Sequence, residues 1–141
     1  MGGQTRTVHL AVGIFVIAIF LLTGYHMKFH IHELMEANDR FRFSLRGNHI
    51  YILLLALVNL SLGTYMKVSQ ILWRAYLQLV GSLMILMATV MVIAAFFFEN
   101  KESLERPLTL MSIILALIGT LLHAVSSMQN KTSEPKTRWQ K

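Results

Sequence analysis

Residues 76–98 read YLQLVGSLMILMATVMVIAAFFF, a run of 23 residues without a single Asp, Glu, Lys or Arg. An α-helix needs about 20 predominantly apolar residues to cross roughly 30 Å of hydrocarbon. Because every backbone amide in lipid must form its hydrogen bond within its own segment, such a run is expected to be helical. This stretch therefore predicts a transmembrane helix.

Three further runs without charged residues, 8–25, 50–66 and 108–125, predict three more spans. No small-residue cleavage site follows the first of them, so we expect an uncleaved anchor and not a signal peptide. Apolar residues make up 55% of the 141-residue chain and charged residues only 14%, whereas soluble domains carry about 25% charged residues. This composition excludes a soluble enzyme domain and a disordered chain.

The predicted fold is an all-α integral membrane protein, a four-transmembrane-helix bundle with up-down connections. Residues 1–128 form the membrane domain, and residues 129–141 are predicted to be a flexible basic tail. The chain has no cysteine. Disulfides, thiolate metal sites and covalently attached haem are therefore excluded.

Four spans place both termini on one side of the membrane. Basic residues on that side are Arg6, Lys67, Arg74, Lys131, Lys136, Arg138 and Lys141, with Glu134 as the one acid. The opposite side holds Lys28, Arg40, Arg42, Arg46, Lys101 and Arg106, balanced by Glu33, Glu36, Asp39, Glu99, Glu102 and Glu105. Because cytoplasmic loops carry an excess of Lys and Arg, the termini are predicted to be cytoplasmic, in the plasma or inner membrane. Anionic lipid then explains the basic tail better than nucleic acid does.

An amphipathic segment separates the first two spans. Ile31, Leu34, Met35 and Phe41 recur at roughly helical spacing within residues 28–43. This pattern predicts a short helix lying in the membrane interface. A loop that contains scattered apolar residues is the alternative.

His9 and His123 form the more specific of two histidine patterns. They lie at comparable depth in the first and fourth spans, which an up-down bundle makes neighbours. Gly13 and Gly119 lie four residues from them, on the same helix faces. Two imidazoles with open space one turn away suit a b-type haem. The alternatives are close helix packing at the glycines and a hydrogen bond between the histidines.

The second histidine pattern lies on the opposite side of the membrane. If the first helix continues past Tyr25, then His26, His30 and Glu33 share one face at positions i, i+4 and i+7. Two imidazoles and a carboxylate can bind Zn²⁺ or Cu²⁺. A solvated loop that contains histidines is the alternative.

Asn59 is a polar residue near the middle of the second span. A buried amide in hydrocarbon requires a partner on another helix, and Gln78, Ser82 and Thr89 of the third span are candidates. The sequence contains no nucleophile–base motif and no phosphate-binding loop. We therefore expect a non-catalytic membrane subunit or scaffold, associated with the bilayer and with other membrane subunits or copies of itself. A membrane electron carrier with haem or a metal is the second hypothesis, and a small transporter or channel is the third.

Overall fold

The computed structural model describes residues 2–100 and 105–128, and every regular element within them is an α-helix. In chain order these are α1 (Gly2–Phe29), α2 (His32–Ala37), α3 (Asp39–Tyr65), α4 (Leu72–Phe98) and α5 (Pro107–Met128). All but α2 are long and apolar enough to cross a membrane. The predicted four-span helical bundle is confirmed, and the chain is a multi-pass membrane protein.

The long helices extend beyond the apolar runs from which they were predicted. α1 continues to Phe29, and α3 begins at Asp39 instead of near residue 50. A helix does not have to end where the hydrocarbon ends, because long basic side chains such as Arg46 can lie along it and reach water. The interval between the first two apolar runs, residues 26–49, predicted a long loop. This prediction is wrong, because α1, α2 and α3 cover all of the interval except His30, Ile31 and Asn38.

The helix expected over residues 28–43 is not found as one element. α1 occupies the start of this segment and α3 its end, and the only helix between them is the six-residue α2. The location of α2 at the membrane interface stays a prediction.

The cap of α3 is Asn38, whose Oδ1 accepts a hydrogen bond of 3.2 Å from the Phe41 amide. Asn48, a polar residue just before the second apolar run and therefore a candidate helix cap from the sequence, instead lies inside α3 and is fully buried. Ser103, a hydroxyl residue shortly before the last apolar run and therefore a predicted helix cap, lies outside the described residues.

Glycines bring the long helices together in two close pairs, α1 with α3 and α4 with α5. A Cβ added to Gly63 would lie 2.6 Å from the backbone nitrogen of Leu10 on α1. A Cβ added to Gly81 or to Gly119 would lie 2.8 Å from the carbonyl oxygen of the other glycine. Such contact between backbones is what small residues allow in membrane helices. The first and fourth spans, by contrast, do not pack closely along their lengths.

The apolar core lies where the two pairs meet. Its buried members are Val16, Met27, Leu45, Ile52, Leu55, Ala56, Ala88, Val92 and Phe96. Many other large apolar side chains point outward, among them Phe15, Leu54, Val90 and Leu117. This outer surface is suited to contact with lipid.

Candidate functional site

Polar side chains meet inside the bundle at the end where α1 begins. His9 is fully buried, and its Nδ1 lies 2.7 Å from Asn59 Oδ1. The Asn59 amide nitrogen donates to Leu55 O at 2.8 Å and to Thr89 Oγ1 at 3.0 Å. The expected partner of Asn59 on the third span is therefore Thr89, and one amide connects α1, α3 and α4.

This hydrogen bonding determines which nitrogen of His9 carries the proton. Asn59 Oδ1 can only accept, because the amide nitrogen is fixed by its bond to the Leu55 carbonyl. His9 Nδ1 is therefore the donor, and in the neutral ring Nε2 has a lone pair. His9 Nε2 is buried and has no hydrogen-bond partner among the described residues.

His123 lies beside His9, although α1 and α5 do not pack closely as the up-down bundle predicted. The ring centroids are 6.4 Å apart and the ring planes are nearly perpendicular, at 82°. His123 Nε2 lies 3.1 Å from the Ser82 hydroxyl, which connects α5 to α4. We refer to His9, Asn59, Ser82, Thr89 and His123 together as the Asn59 cluster.

Gly13 and Gly119 do not provide the open space that a haem between the histidines would require. A Cβ on Gly13 would lie 2.8 Å from Leu60 on α3, and Gly119 faces the backbone of Gly81 on α4. The expectation of open space is wrong, because the glycines are used for backbone packing against other helices. Haem binding at His9 and His123 stays a prediction.

The outer histidines are brought together only in part. The rings of His26 and His30 are stacked with centroids 5.2 Å apart, but α1 ends before Glu33, which lies in α2. Among the residues that the structure describes, no three His, Asp or Glu side chains form a group that could hold one metal ion. Binding of Zn²⁺ or Cu²⁺ here stays a prediction that now depends on two imidazoles.

A second polar cluster, formed by Asn48, Glu99, Arg106 and Thr109, lies at the opposite end of the bundle and was missed by the sequence analysis. Arg106 donates to Asn48 Oδ1, and its Nε lies 3.5 Å from the Glu99 carboxylate. The Thr109 hydroxyl lies 3.0 Å from Asn48 Oδ1 and also bonds to Glu99. A signal was present, since Asn48 and Thr109 are polar residues at the same end of two apolar segments.

Glu99 also has a structural role at the start of α5. Its Oε1 accepts hydrogen bonds from the backbone amides of Leu108, at 2.9 Å, and of Thr109, at 3.2 Å. These amides lie in the first turn of α5, where they have no partner within the helix. The carboxylate therefore caps α5 from the end of α4.

A groove of about 560 Å³ lies between α1 and α4 at the end where both helices begin. Its walls include Val8, Leu72, Ala75, Leu79, Leu83 and Leu86. Gln78 and Ser82 add polar atoms at its floor, where both side chains are buried. The remaining lining is predominantly apolar.

Comparison with protein families, with curated proteins and with solved structures found no match to this chain.

Proposed function

We propose that this chain is a non-catalytic subunit or scaffold of a membrane assembly. The observation that carries the proposal is how its buried polar side chains are used. In the Asn59 cluster, the hydrogen bonds of Asn59 connect α1, α3 and α4. The hydrogen bond between Ser82 and His123 connects α4 with α5. The Ser112 hydroxyl likewise donates to Ala88 O across the α4–α5 pair. Hydrogen bonds of this kind hold transmembrane helices in a fixed arrangement.

The cluster around Arg106 supports the same role. Glu99 is engaged by Arg106, by Thr109 and by backbone amides, so its carboxylate serves the connection between α4 and α5. Ion-coupled transporters use intramembrane carboxylates to carry ions or protons. A carboxylate occupied in this way favours a structural role over transport.

Photo-crosslinking of the full chain in its own membrane tests this function. A crosslinking side chain is placed at Leu54, Val90 or Leu117, three exposed positions on different helices. At least one position is expected to give a crosslinked band of discrete mass, in which mass spectrometry identifies one polypeptide or a second copy of this chain. Crosslinks to lipid alone at all three positions, from a chain that purifies as a monomer, would contradict the proposal.

The second candidate function is electron transfer, and the free lone pair of His9 Nε2 favours it. An imidazole that donates from Nδ1 to an amide oxygen is oriented as metal-binding histidines commonly are. The test is the absorption spectrum of protein purified after expression with ample haem. A reducible Soret band that disappears in His123→Ala would select the electron carrier. A colourless protein would exclude the haem hypothesis.

A further inference from the structure

We propose that the groove between α1 and α4 binds one anionic phospholipid, with its acyl chains against the apolar walls and its headgroup at the basic rim. This inference is independent of the subunit role.

The depth of the groove indicates a lipid and not a partner helix. On α4 its lining extends from Leu72 to Leu86, which corresponds to about 21 Å of helix at 1.5 Å per residue. On α1 it reaches only from Gln4 to Val8. A membrane with its headgroup regions is about 40–45 Å thick. The groove therefore spans a single leaflet, whereas a transmembrane helix of a partner would need a surface along the whole bundle.

The charge at the rim favours an anionic headgroup. Arg6, Lys67 and Arg74 do not line the groove, but each is next in sequence to a residue that does, in α1, in the α3–α4 loop and in α4 respectively. The described residues at this end of the bundle include no Asp or Glu. Each basic residue at a membrane surface raises the affinity for anionic lipid roughly fivefold.

Hydrogen bonds hold the basic rim in place next to the apolar wall. Gln78, which lines the groove, accepts from the Ser69 amide at 3.1 Å and donates to the Lys67 carbonyl at 3.0 Å. The Arg6 guanidinium donates to Thr64 O at 3.0 Å, at the end of α3. The chain positions of Lys67 and Arg6 are thus fixed relative to the groove.

Native mass spectrometry of the full chain in detergent micelles tests the site. The probes are dioleoyl phosphatidylglycerol, which is anionic, and dioleoyl phosphatidylcholine, which has the same acyl chains without net charge. The wild type is expected to retain one phosphatidylglycerol molecule in preference to phosphatidylcholine. Lys67→Gln should reduce this preference roughly fivefold. Lys28→Gln, at the opposite end of the bundle, should leave it unchanged.

The groove itself is tested by a matched pair of tryptophan substitutions. Leu79 and Leu117 are similarly exposed, at 58% and 60%, but only Leu79 lines the groove. Leu79→Trp should reduce retention of both lipids, and Leu117→Trp should not. Equal retention of the two lipids by the wild type would overturn the proposal. An equal loss of lipid retention in the two tryptophan variants would also overturn the proposal. So would a polypeptide bound in the groove in place of lipid.

Discussion

Asn59 shows how much of this bundle depends on one side chain. Its amide accepts from His9 on α1 and donates to Thr89 on α4, while a third hydrogen bond goes to the carbonyl of Leu55 in its own helix. The residue is fully buried. In hydrocarbon no water can replace a lost partner, so His9, Asn59 and Thr89 each require the others.

A double-mutant cycle with His9→Leu and Asn59→Leu measures this dependence. We expect the two substitutions to be coupled by about 0.6 kcal/mol, and by at most about 1.7 kcal/mol, the range known for hydrogen bonds between membrane helices. The measurement is the free energy of unfolding in micelles. Thr120→Ala is the control, because the Thr120 hydroxyl is exposed and bonds only within its own helix. Strict additivity of the two leucine substitutions would show that the His9–Asn59 bond contributes nothing.

The hydrogen-bond partner of a single residue could be predicted where few other polar groups were available. Asn59 had three candidates on the next span, and one of them, Thr89, is its partner. Of the cluster around Arg106, a signal in the sequence was present only for Asn48 and Thr109, because Glu99 and Arg106 lie outside the apolar runs. Only the folded arrangement of the helix ends shows that they approach Asn48.

At the scale of the helices, glycine determines which spans pair closely. The sequence correctly marked Gly13 and Gly119 as positions of interest, but it did not show which helix each one faces. The helix that each glycine faces depends on how its own helix is rotated within the bundle, and contacts with every neighbouring helix set that rotation. Both glycines face their pairing partners, α3 and α4, instead of lying beside a shared cofactor.

Two glycines of α3 provide a matched test of these contacts. In Gly63→Ala the new methyl group would meet the backbone of Leu10, so we expect the free energy of unfolding to fall by about 1–3 kcal/mol. In Gly47→Ala the new methyl group meets nothing within 4 Å, and the higher helix propensity of alanine should stabilise the protein by up to about 1 kcal/mol. Unfolding in micelles measures both variants. Equal effects of the two substitutions would contradict the close α1–α3 contact.

For the whole molecule, the sequence predicted the number of spans because charge-free runs of this length have few structural alternatives. It did not predict the helix ends, since polar residues continue a helix outside hydrocarbon as readily as they form a loop. It also predicted the orientation in the membrane from charge alone, and that orientation can be measured directly.

Reporter fusions to the full chain test the predicted cytoplasmic location of the termini. A fluorescent protein that folds only in the cytoplasm should be active when fused after Lys141. An export-dependent enzyme should be active when inserted between α4 and α5, on the opposite side of the membrane. The two reporters exchanged between these sites serve as controls and should be inactive. Activity of the export-dependent enzyme after Lys141 would reverse the orientation.

The pairing of α1 with α3 has a consequence for how the protein is made. The contacts at Gly13 and Gly63 involve only residues that precede α4 in the chain and are synthesised before it. The first pair can therefore close in the bilayer while the second is still being translated, as N-terminal units generally do. The hydrogen bond from Asn59 to Thr89 then becomes a late event that joins two halves already formed. Biogenesis of this protein would proceed by docking two preassembled helix pairs. Asn59 would lack its hydrogen bond to Thr89 until the second pair docks.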